Sequence, residues 1–259
     1  MEIPQAPVRQ RAAAKRSIAV GADPLQPVQA RAHATRDALL AAGRTMLANG
    51  DFDSLSIAEL AAASKLSVGS FYGRFRDKEA FFEQLQEQVT AEFLLAARQA
   101  LLPKDGQAST AEAIVTSVCA MVIDGFRKDA GYVRAALRHA STQPASWSPI
   151  QSAGRQVVQE VIAVLGPKLA HIAPAQRAGR IRFAMQLLYG TGINAVLNDP
   201  GPTPLRSKRL ERELSRVLCL YLGITKSTGL GPRHSPHNTL HAPVSTPPRS
   251  AAQRPRRSA

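Results

Sequence analysis

The sequence predicts an all-α fold. Between about residues 31 and 225, apolar side chains recur at helical spacing, and no stretch shows the strict alternation of a half-buried strand. Capping residues, first-turn prolines and Gly or Pro breakers divide this region into helices of ordinary length. The two ends, residues 1–30 and 226–259, have no helical period and few large apolar side chains, so we expect both to be disordered.

The first two helices are marked by clear start and stop signals. An Ala-rich helix is predicted over residues 31–49, where Asn49-Gly50 ends it. Ser56 and Glu59 fit a capping box, in which the serine caps the helix and the glutamate reaches back to its start. The second helix is short and ends near Ser64.

A third and a fourth helix follow after tight turns. Ser67 can cap the third helix, and Asp77 can cap a fourth helix that runs to about Leu102. Two short helices that follow a longer one and are joined by a tight turn form a helix-turn-helix. Five more helices are predicted at about residues 110–127, 130–141, 149–172, 174–198 and 204–223. Thr110 signals the start of the first of these, and Pro204 signals the start of the last.

The third helix has one aromatic face and one nearly bare face. Phe71 and Phe75 are one turn apart, which suits packing on the first two helices. Gly69 and Gly73 are also four residues apart, although each glycine in a helix interior costs about 1 kcal/mol relative to alanine. A bare face lets a helix backbone approach base edges and phosphates in the DNA major groove.

The segment "DFDSLSIAELAAASKLSVGSFYGRFRDKEAFFEQL", residues 51–85, resembles the DNA-binding region of the TetR family of bacterial transcriptional regulators. The matching features are Phe52 after Gly50, the "IAELA" helix, the Phe71-Tyr72 pair and the lysine that opens the fourth helix. The resemblance implies a DNA-binding domain over residues 31–78. It also implies a helical domain over residues 79–225 that dimerises and binds a small effector.

The resemblance also assigns roles to individual residues. Tyr72, Arg74 and Lys78 lie at positions that contact phosphates, and the first-turn amides behind the caps also favour anions. Val68, Gly69, Ser70 and Gly73 lie at positions that approach bases. The full set of expected DNA-binding residues is Ser56, Lys65, Ser67, Val68, Gly69, Ser70, Tyr72, Gly73, Arg74 and Lys78.

One position departs from the family pattern. The turn between the second and third helices commonly has glycine where this chain has Lys65. A lysine in the left-handed conformation costs about 1 kcal/mol. Either the turn has a different shape or Lys65 tolerates this strain.

The chain is strongly basic, with a formal net charge of +14 and a pI of about 10.7. Basic residues of the N-terminal region are predicted to form an arm that reaches DNA; they are Arg9, Arg11, Lys15, Arg16 and Arg31. Residues 226–259 hold six basic and no acidic side chains. These tails also suit an alternative function, an architectural protein that binds DNA with weak sequence selectivity.

The last two predicted helices, 174–198 and 204–223, are expected to form a homodimer, which would match a palindromic operator. Their apolar stripes are also compatible with the core of a single chain, and both can be true; they are Ile181, Met185, Leu188, Gly192, Ala195 and Val196, and Leu210, Leu214, Val217, Leu218, Tyr221 and Leu222. Four polar residues on apolar helices either face an effector cavity or lie in surface contacts; they are Arg134, Arg138, His139 and Arg182.

Other classes of function have little support in the sequence. Cys119 and Cys219 lie in apolar helical patterns, as buried thiols of a reducing compartment do. We find no metal-ligand spacing, catalytic triad or phosphate-binding loop, and we expect no catalysis, metal or cofactor. No apolar run approaches a membrane span. The prediction is a cytoplasmic repressor that a small molecule releases from double-stranded DNA.

Overall fold

The structure, a computed structural model, describes residues 25–48, 50–103, 109–199 and 201–224. Within these residues it consists of helices without strands, which confirms the predicted fold class. The helices are α1 Leu25–Leu47, α2 Ile57–Ala63, α3 Val68–Tyr72, α4 Lys78–Leu101, α5 Ala111–Lys128, α6 Ala130–Thr142, α7 Ser148–Leu165, α8 Pro174–Asn198 and α9 Lys208–Tyr221. No helix in these ranges is long and apolar enough to cross a membrane.

Four predicted helix caps are present. The Ser56, Ser67, Asp77 and Thr110 side chains accept hydrogen bonds from backbone N–H groups three residues later, at 3.5, 3.1, 2.8 and 3.1 Å. Each of these acceptors satisfies a first-turn donor that has no partner within the helix. The starts of α2, α3, α4 and α5 are therefore fixed by local chemistry.

Helix α1 begins at Leu25, six residues before its predicted start and inside the segment expected to be disordered. Pro27 lies in the first turn of this helix. A first-turn proline costs no hydrogen bond, because N–H groups there lack helical partners in any case. The prediction of disorder was wrong for residues 25–30, which form a helix although their sequence shows no apolar period. The rest of the predicted N-terminal tail and all of residues 226–259 lie outside the described residues.

Two other boundaries differ from the prediction by four residues or more. Helix α7 ends at Leu165 instead of continuing to residue 172, and Gly166–Lys168 form a 3-10 turn that contains a proline. Helix α9 begins at Lys208, where the Ser207 hydroxyl accepts from the Arg209 N–H at 3.2 Å. Proline and serine are both start signals, and here the serine three residues after the predicted start marks the helix.

The described helices enclose two hydrophobic cores. One lies among α5, α7, α8 and α9 and contains the larger part of the C-terminal region. The other joins α1, α2 and α3 to the first turns of α4 and to α6, through buried Phe71, Phe82 and Tyr132. The division predicted at residue 78 falls at the start of α4, so the second core includes residues on both sides of it.

Candidate nucleic-acid interface

The short helix α3 is held by an aromatic cluster on its inner side. The Phe71 side chain is fully buried, and its ring centroid lies 5.2 Å from that of Phe75 and 5.9 Å from that of Phe81. Phe75 and Phe81 meet edge to face at 5.2 Å. Aromatic pairs in such tilted and edge-on arrangements contribute beyond their buried area. This cluster fixes α3 on the start of α4.

The opposite side of α3 is open to solvent. Val68 is 42% exposed and Tyr72 is 56% exposed, and Gly69, Gly73 and Arg74 are exposed as well. The Tyr72 ring meets the Phe71 ring edge-on with centroids 5.4 Å apart, while most of its surface stays free. A large apolar or aromatic side chain that a fold leaves outside is available to a partner.

The fold itself does not require glycine at either position of this face. A Cβ at Gly69 would lie 3.6 Å from the Ser67 hydroxyl, and a Cβ at Gly73 would lie 3.4 Å from the nearest carbonyl oxygen. Neither residue has a positive φ. Gly73 is the C-cap of α3 rather than an interior residue. The space beside both glycines is therefore free in the isolated chain.

The turn between α2 and α3 contains the strained lysine. Lys65 has a φ of +57°, and the N–H groups of Lys65 and Leu66 donate to the Ala62 and Ala61 carbonyls at 3.0 and 2.8 Å. This pattern is a Schellman motif, in which glycine is the usual left-handed residue. The left-handed conformation of Lys65 is confirmed, so the chain tolerates the strain instead of reshaping the turn.

Lys78 has a structural role in addition to carrying a positive charge. Its Nζ donates to the Phe52 carbonyl at 3.1 Å and to the Asp53 carbonyl at 3.0 Å. The same ammonium lies 4.8 Å from the centroid of the Phe52 ring. Lys78 thus ties the loop before α2 to the start of α4, and a phosphate contact would use its remaining donor capacity.

The other expected DNA contacts are placed differently. Ser56 and Ser67 act as caps, and Ser67 also hydrogen-bonds the Ser70 hydroxyl at 2.9 Å. Arg76, which is outside the expected set, pairs with Asp77 at 2.7 Å, and hydrogen bonds from the Ala80 N–H and from Arg76 hold the Asp77 pKa below its usual value. The expected arm residues Arg9, Arg11, Lys15 and Arg16 lie outside the described residues, and Arg31 is exposed on α1. The DNA contacts themselves stay predictions.

Helix α6 packs directly against the helix-turn-helix and the helix before it. A Cβ at Gly131 would lie 2.2 Å from the Leu47 carbonyl oxygen, so glycine is needed for this close approach to the end of α1. At the other end of α6, His139 is buried against the rings of Phe52 and Phe82, with centroids 4.9 and 5.3 Å away. Helix α6 is therefore part of the support of the helix-turn-helix.

An ion-pair network crosses the same junction. Arg44 of α1 pairs with Asp129 at 2.5 Å and with Glu92 of α4 at 3.0 Å, and Lys128 of α5 pairs with Glu92 at 2.7 Å. Burial alone would raise the pKa of Glu92, but hydrogen bonds from Lys128, Arg44 and Gln88 lower it to about 2. This network fixes the position of α1 relative to α4 and α5. Arg138 adds a further pair to Asp51.

A cavity of about 980 Å³ lies behind α6, among helices α4 to α8. Its wall is mainly apolar and includes five aromatic side chains, namely Phe93, Phe126, Tyr132, Trp147 and Tyr189. Burial raises the pKa of the Tyr132 and Tyr189 phenols, so both stay protonated near neutral pH. Ligand pockets commonly measure about 300–1,000 Å³ and combine apolar walls with a few polar groups.

Of the four polar residues suggested from the sequence, Arg182 lines this cavity. Arg134 donates to the Val196 carbonyl at 3.5 Å, while Arg138 and His139 lie at the junction with the helix-turn-helix. Arg155 and two lining glutamines of α7, Gln151 and Gln159, were not predicted from the sequence. Their position four residues apart on one side of α7 is compatible with any buried or half-buried face, so the pattern alone did not identify a cavity.

The sequence and the fold were compared with known proteins. Residues 39–85 match a family described as bacterial regulatory proteins of the tetR family. No curated protein is significantly similar in sequence to the chain.

Several solved structures share the fold. A tetR-family transcriptional regulator from Streptomyces coelicolor has 14% sequence identity and a TM-score of 0.57, covering 74% of this chain and 80% of that one. A transcriptional regulator from Rhodococcus sp. Rha1 has 18% identity and a TM-score of 0.56, with 73% and 96% of the two chains covered. Salmonella enterica GusR has 21% identity and a TM-score of 0.52, with 73% and 95% covered. At such low identity the similarity concerns the fold alone.

Proposed function

We propose that this chain, a DNA-binding regulator of the tetR family by its residues 39–85, represses transcription as a homodimer and leaves its operator when a small effector binds. The observation that carries the proposal is the form of α3. Its aromatic face is buried, and its outer face offers glycines, an exposed tyrosine and an exposed arginine within the matched segment. The site of action is the cytoplasm, where bacterial DNA lies.

The geometry of α3 supports entry into the major groove. Gly69 and Gly73 have room for a Cβ that the fold does not use, so a close approach of DNA explains their presence. Tyr72, Arg74 and Lys65 are exposed around them and are assigned to phosphates. Few long side chains reach outward, so much of the specificity is assigned to DNA shape and to phosphate positioning.

A homodimer is supported by exposed apolar side chains on α8 and α9. Phe183 and Leu187 are exposed on α8, and Val217, Leu220 and Tyr221 are exposed on α9. The Phe183 and Tyr221 ring centroids lie 5.4 Å apart, so the two helices form one continuous surface. Such a patch on the described surface is typical of an interface between two copies.

The apolar stripes of α8 and α9 that predicted dimerisation are mostly buried within the chain. Apart from Val217 and Tyr221, their residues are buried within the chain itself, as Ile181, Leu188 and Leu218 illustrate. Helical spacing identifies an apolar face but does not distinguish a face covered by the same chain from one covered by a partner. The two helices remain the proposed interface, through their outer faces.

The cavity is the proposed effector site, because two of its walls continue into the DNA-binding region. Helix α4 starts beside α3 and lines the cavity with Val89 and Phe93. Helix α6 lines it with Tyr132 and touches α1 at Gly131. An effector that favours another placement of either helix lowers the population of molecules whose helix-turn-helix can bind an operator.

The test is selection of fragments from sheared genomic DNA by the full-length protein at physiological salt. The regulator proposal expects a short palindrome to be enriched. It also expects Tyr72→Phe, which removes only the hydroxyl, to weaken binding to all enriched sequences to a similar extent. Recovery of unenriched DNA that binds only at low salt would contradict the proposal and favour the architectural alternative.

A further inference from the structure

The charged groups around the cavity differ in whether they have partners. Six of the lining residues are charged; they are Glu92, Asp124, Lys128, Asp129, Arg155 and Arg182. The three acids are all paired within the chain. Glu92 binds Arg44 and Lys128, Asp129 binds Arg44, and Asp124 binds Arg127 at 2.6 Å.

Unlike the three acids, the three basic lining residues are not all in ion pairs. Lys128 is committed to Glu92, whereas Arg155 and Arg182 have no ion-pair partner among the described residues. The wall therefore carries acids that are already neutralised and two guanidinium groups that are not. An uncompensated positive charge beside an apolar cavity favours a ligand with a negative charge.

The two arginines lie on helices that meet at the cavity. Arg155 of α7 has lining residues one turn before and nearly one turn after it, Gln151 and Val158. Arg182 of α8 likewise precedes the lining residue Gln186 by one turn. Helices α7 and α8 are also joined where the Tyr189 hydroxyl donates to the Gly154 carbonyl at 3.5 Å. Both arginines are exposed, so they lie on the open side of the cavity and not at its base.

The aromatic part of the cavity wall offers a different environment. Phe93, Phe126, Tyr132 and Tyr189 line the cavity and are all less exposed than the two arginines. A ligand that fits must therefore bring a long or bulky apolar body inside. It must keep its charged group near the opening, where guanidinium groups can bind it.

We propose that the cavity selects an amphipathic organic anion, with an extended apolar body and one carboxylate that Arg155 and Arg182 bind. This inference rests on the proposed effector function of the cavity and specifies its ligand class. Arginine suits the role because its planar guanidinium offers paired donors that match the two oxygens of a carboxylate.

The test uses three probes of equal chain length, dodecanoate, dodecanol and dodecylamine, below their micelle concentrations. Trp147 is the single tryptophan of the chain and lines the cavity, so its fluorescence reports binding. The expected order is dodecanoate tightest and dodecylamine weakest, with the preference for the anion over the alcohol about tenfold or more. This preference should shrink as salt is added, because the arginines are exposed.

Variants identify the groups responsible. Arg155→Ala and Arg182→Ala should each weaken dodecanoate binding about three- to tenfold while leaving dodecanol binding unchanged. Arg182→Lys should restore part of the loss. Arg180→Ala is the matched control, since Arg180 is exposed on the same helix but does not line the cavity. Circular dichroism of each variant confirms that the helices are intact.

The outcomes separate this inference from the proposed function. Equal binding of anion and alcohol, tighter binding of the amine, or an equal loss in Arg180→Ala would overturn the anion proposal. Absence of binding by all three probes would also overturn it, while operator binding by the same protein would leave the DNA-binding proposal intact. Selective dodecanoate binding without any change in operator affinity would support the ligand class and contradict effector release.

Discussion

Lys65 occupies a conformation that suits glycine better than lysine. Its φ is +57°, whereas the same position of the Schellman motif after α9 is filled by Gly223 with a φ of +67°. The two motifs share the same closing hydrogen bond. The Leu66 N–H donates to the Ala61 carbonyl, and the Ile224 N–H donates to the Cys219 carbonyl, at 2.8 Å in both cases. Gly223 thus shows, within the same chain, the residue that this left-handed position usually has.

Lys65→Gly is therefore expected to raise the free energy of unfolding by about 1 kcal/mol, because it removes the left-handed strain. Denaturant unfolding measures the change. The control is Ala62→Gly at an exposed position within α2, which should lower the same quantity by about 1 kcal/mol. A loss of stability in Lys65→Gly would show that the lysine side chain contributes more than the strain costs.

Gly69 allows stability and DNA affinity to be separated. A Cβ at this position has 3.6 Å to its nearest neighbour in the free chain, and alanine is the better helix former. Gly69→Ala should leave stability unchanged or slightly raised and weaken operator binding at least tenfold, because the methyl group occupies space that DNA needs. Operator titration and thermal unfolding of the same preparation give both values. Unchanged affinity would remove Gly69 from the interface.

The helix caps show what local sequence can predict. Ser56, Ser67, Asp77 and Thr110 each act on a donor three residues away, so the chemistry that starts the helix is contained in a few adjacent letters. The start of α9 was misplaced because Pro204 and Ser207 are both valid signals and only tertiary packing selects between them. Element identity was predictable, whereas competing boundaries were not.

Lys78 connects the start of α4 with the loop before α2. Lys78→Ala should weaken binding to every sequence and lower the slope of log affinity against log salt by about one unit. It should also lower stability, because the Phe52 and Asp53 carbonyls lose their donor. Titrations at several salt concentrations measure the slope. A loss of stability with an unchanged slope would assign Lys78 a structural role only.

Glu92 joins α4 to α1 and α5 through its two basic partners. Its pKa of about 2 lies below the ordinary value of 4.5, so the folded chain binds fewer protons than the unfolded chain between these values. Its contribution to stability is therefore complete above about pH 4.5 and is lost as the pH falls toward 2. Glu92→Gln should lower stability at pH 7 and flatten its dependence on pH in this window. Unfolding curves from pH 2 to 7 provide the measurement, and an unchanged pH dependence would contradict the assigned pairing.

At the scale of the whole molecule, the proposed homodimer depends on which apolar faces a second copy covers. Leu220 is 69% exposed on α9, within the proposed interface. Leu220→Glu should convert the dimer to a monomer, because two carboxylates would enter an apolar contact around the two-fold axis. Light scattering after size exclusion measures the mass. Leu95→Glu, at a 57% exposed position on α4, is the matched control and should leave the dimer intact. A dimer that persists in Leu220→Glu would place the interface elsewhere.

The cavity marks the limit of prediction at this scale. Its lining residues come from helices α4 to α8, which are far apart in sequence, and each contributes a face that reads as ordinary core. The resemblance predicted that an effector domain exists, but the placement of Arg155, Arg182 and Trp147 around one space depends on how the helices cross. Long-range packing of this kind leaves no local pattern in the sequence.

The contact of α6 with helices α1 to α3 limits how this protein can be recombined. Tyr132, Ala135 and Ala136 of α6 complete the core that α1 to α4 begin, although α5 separates them in the chain. A fragment that contains only α1 to α4 would expose the apolar surface that α6 covers to water. A chimera that exchanges operator specificity should therefore replace only the outer face of α3 and retain the buried residues around it, so that the graft keeps the core of its host.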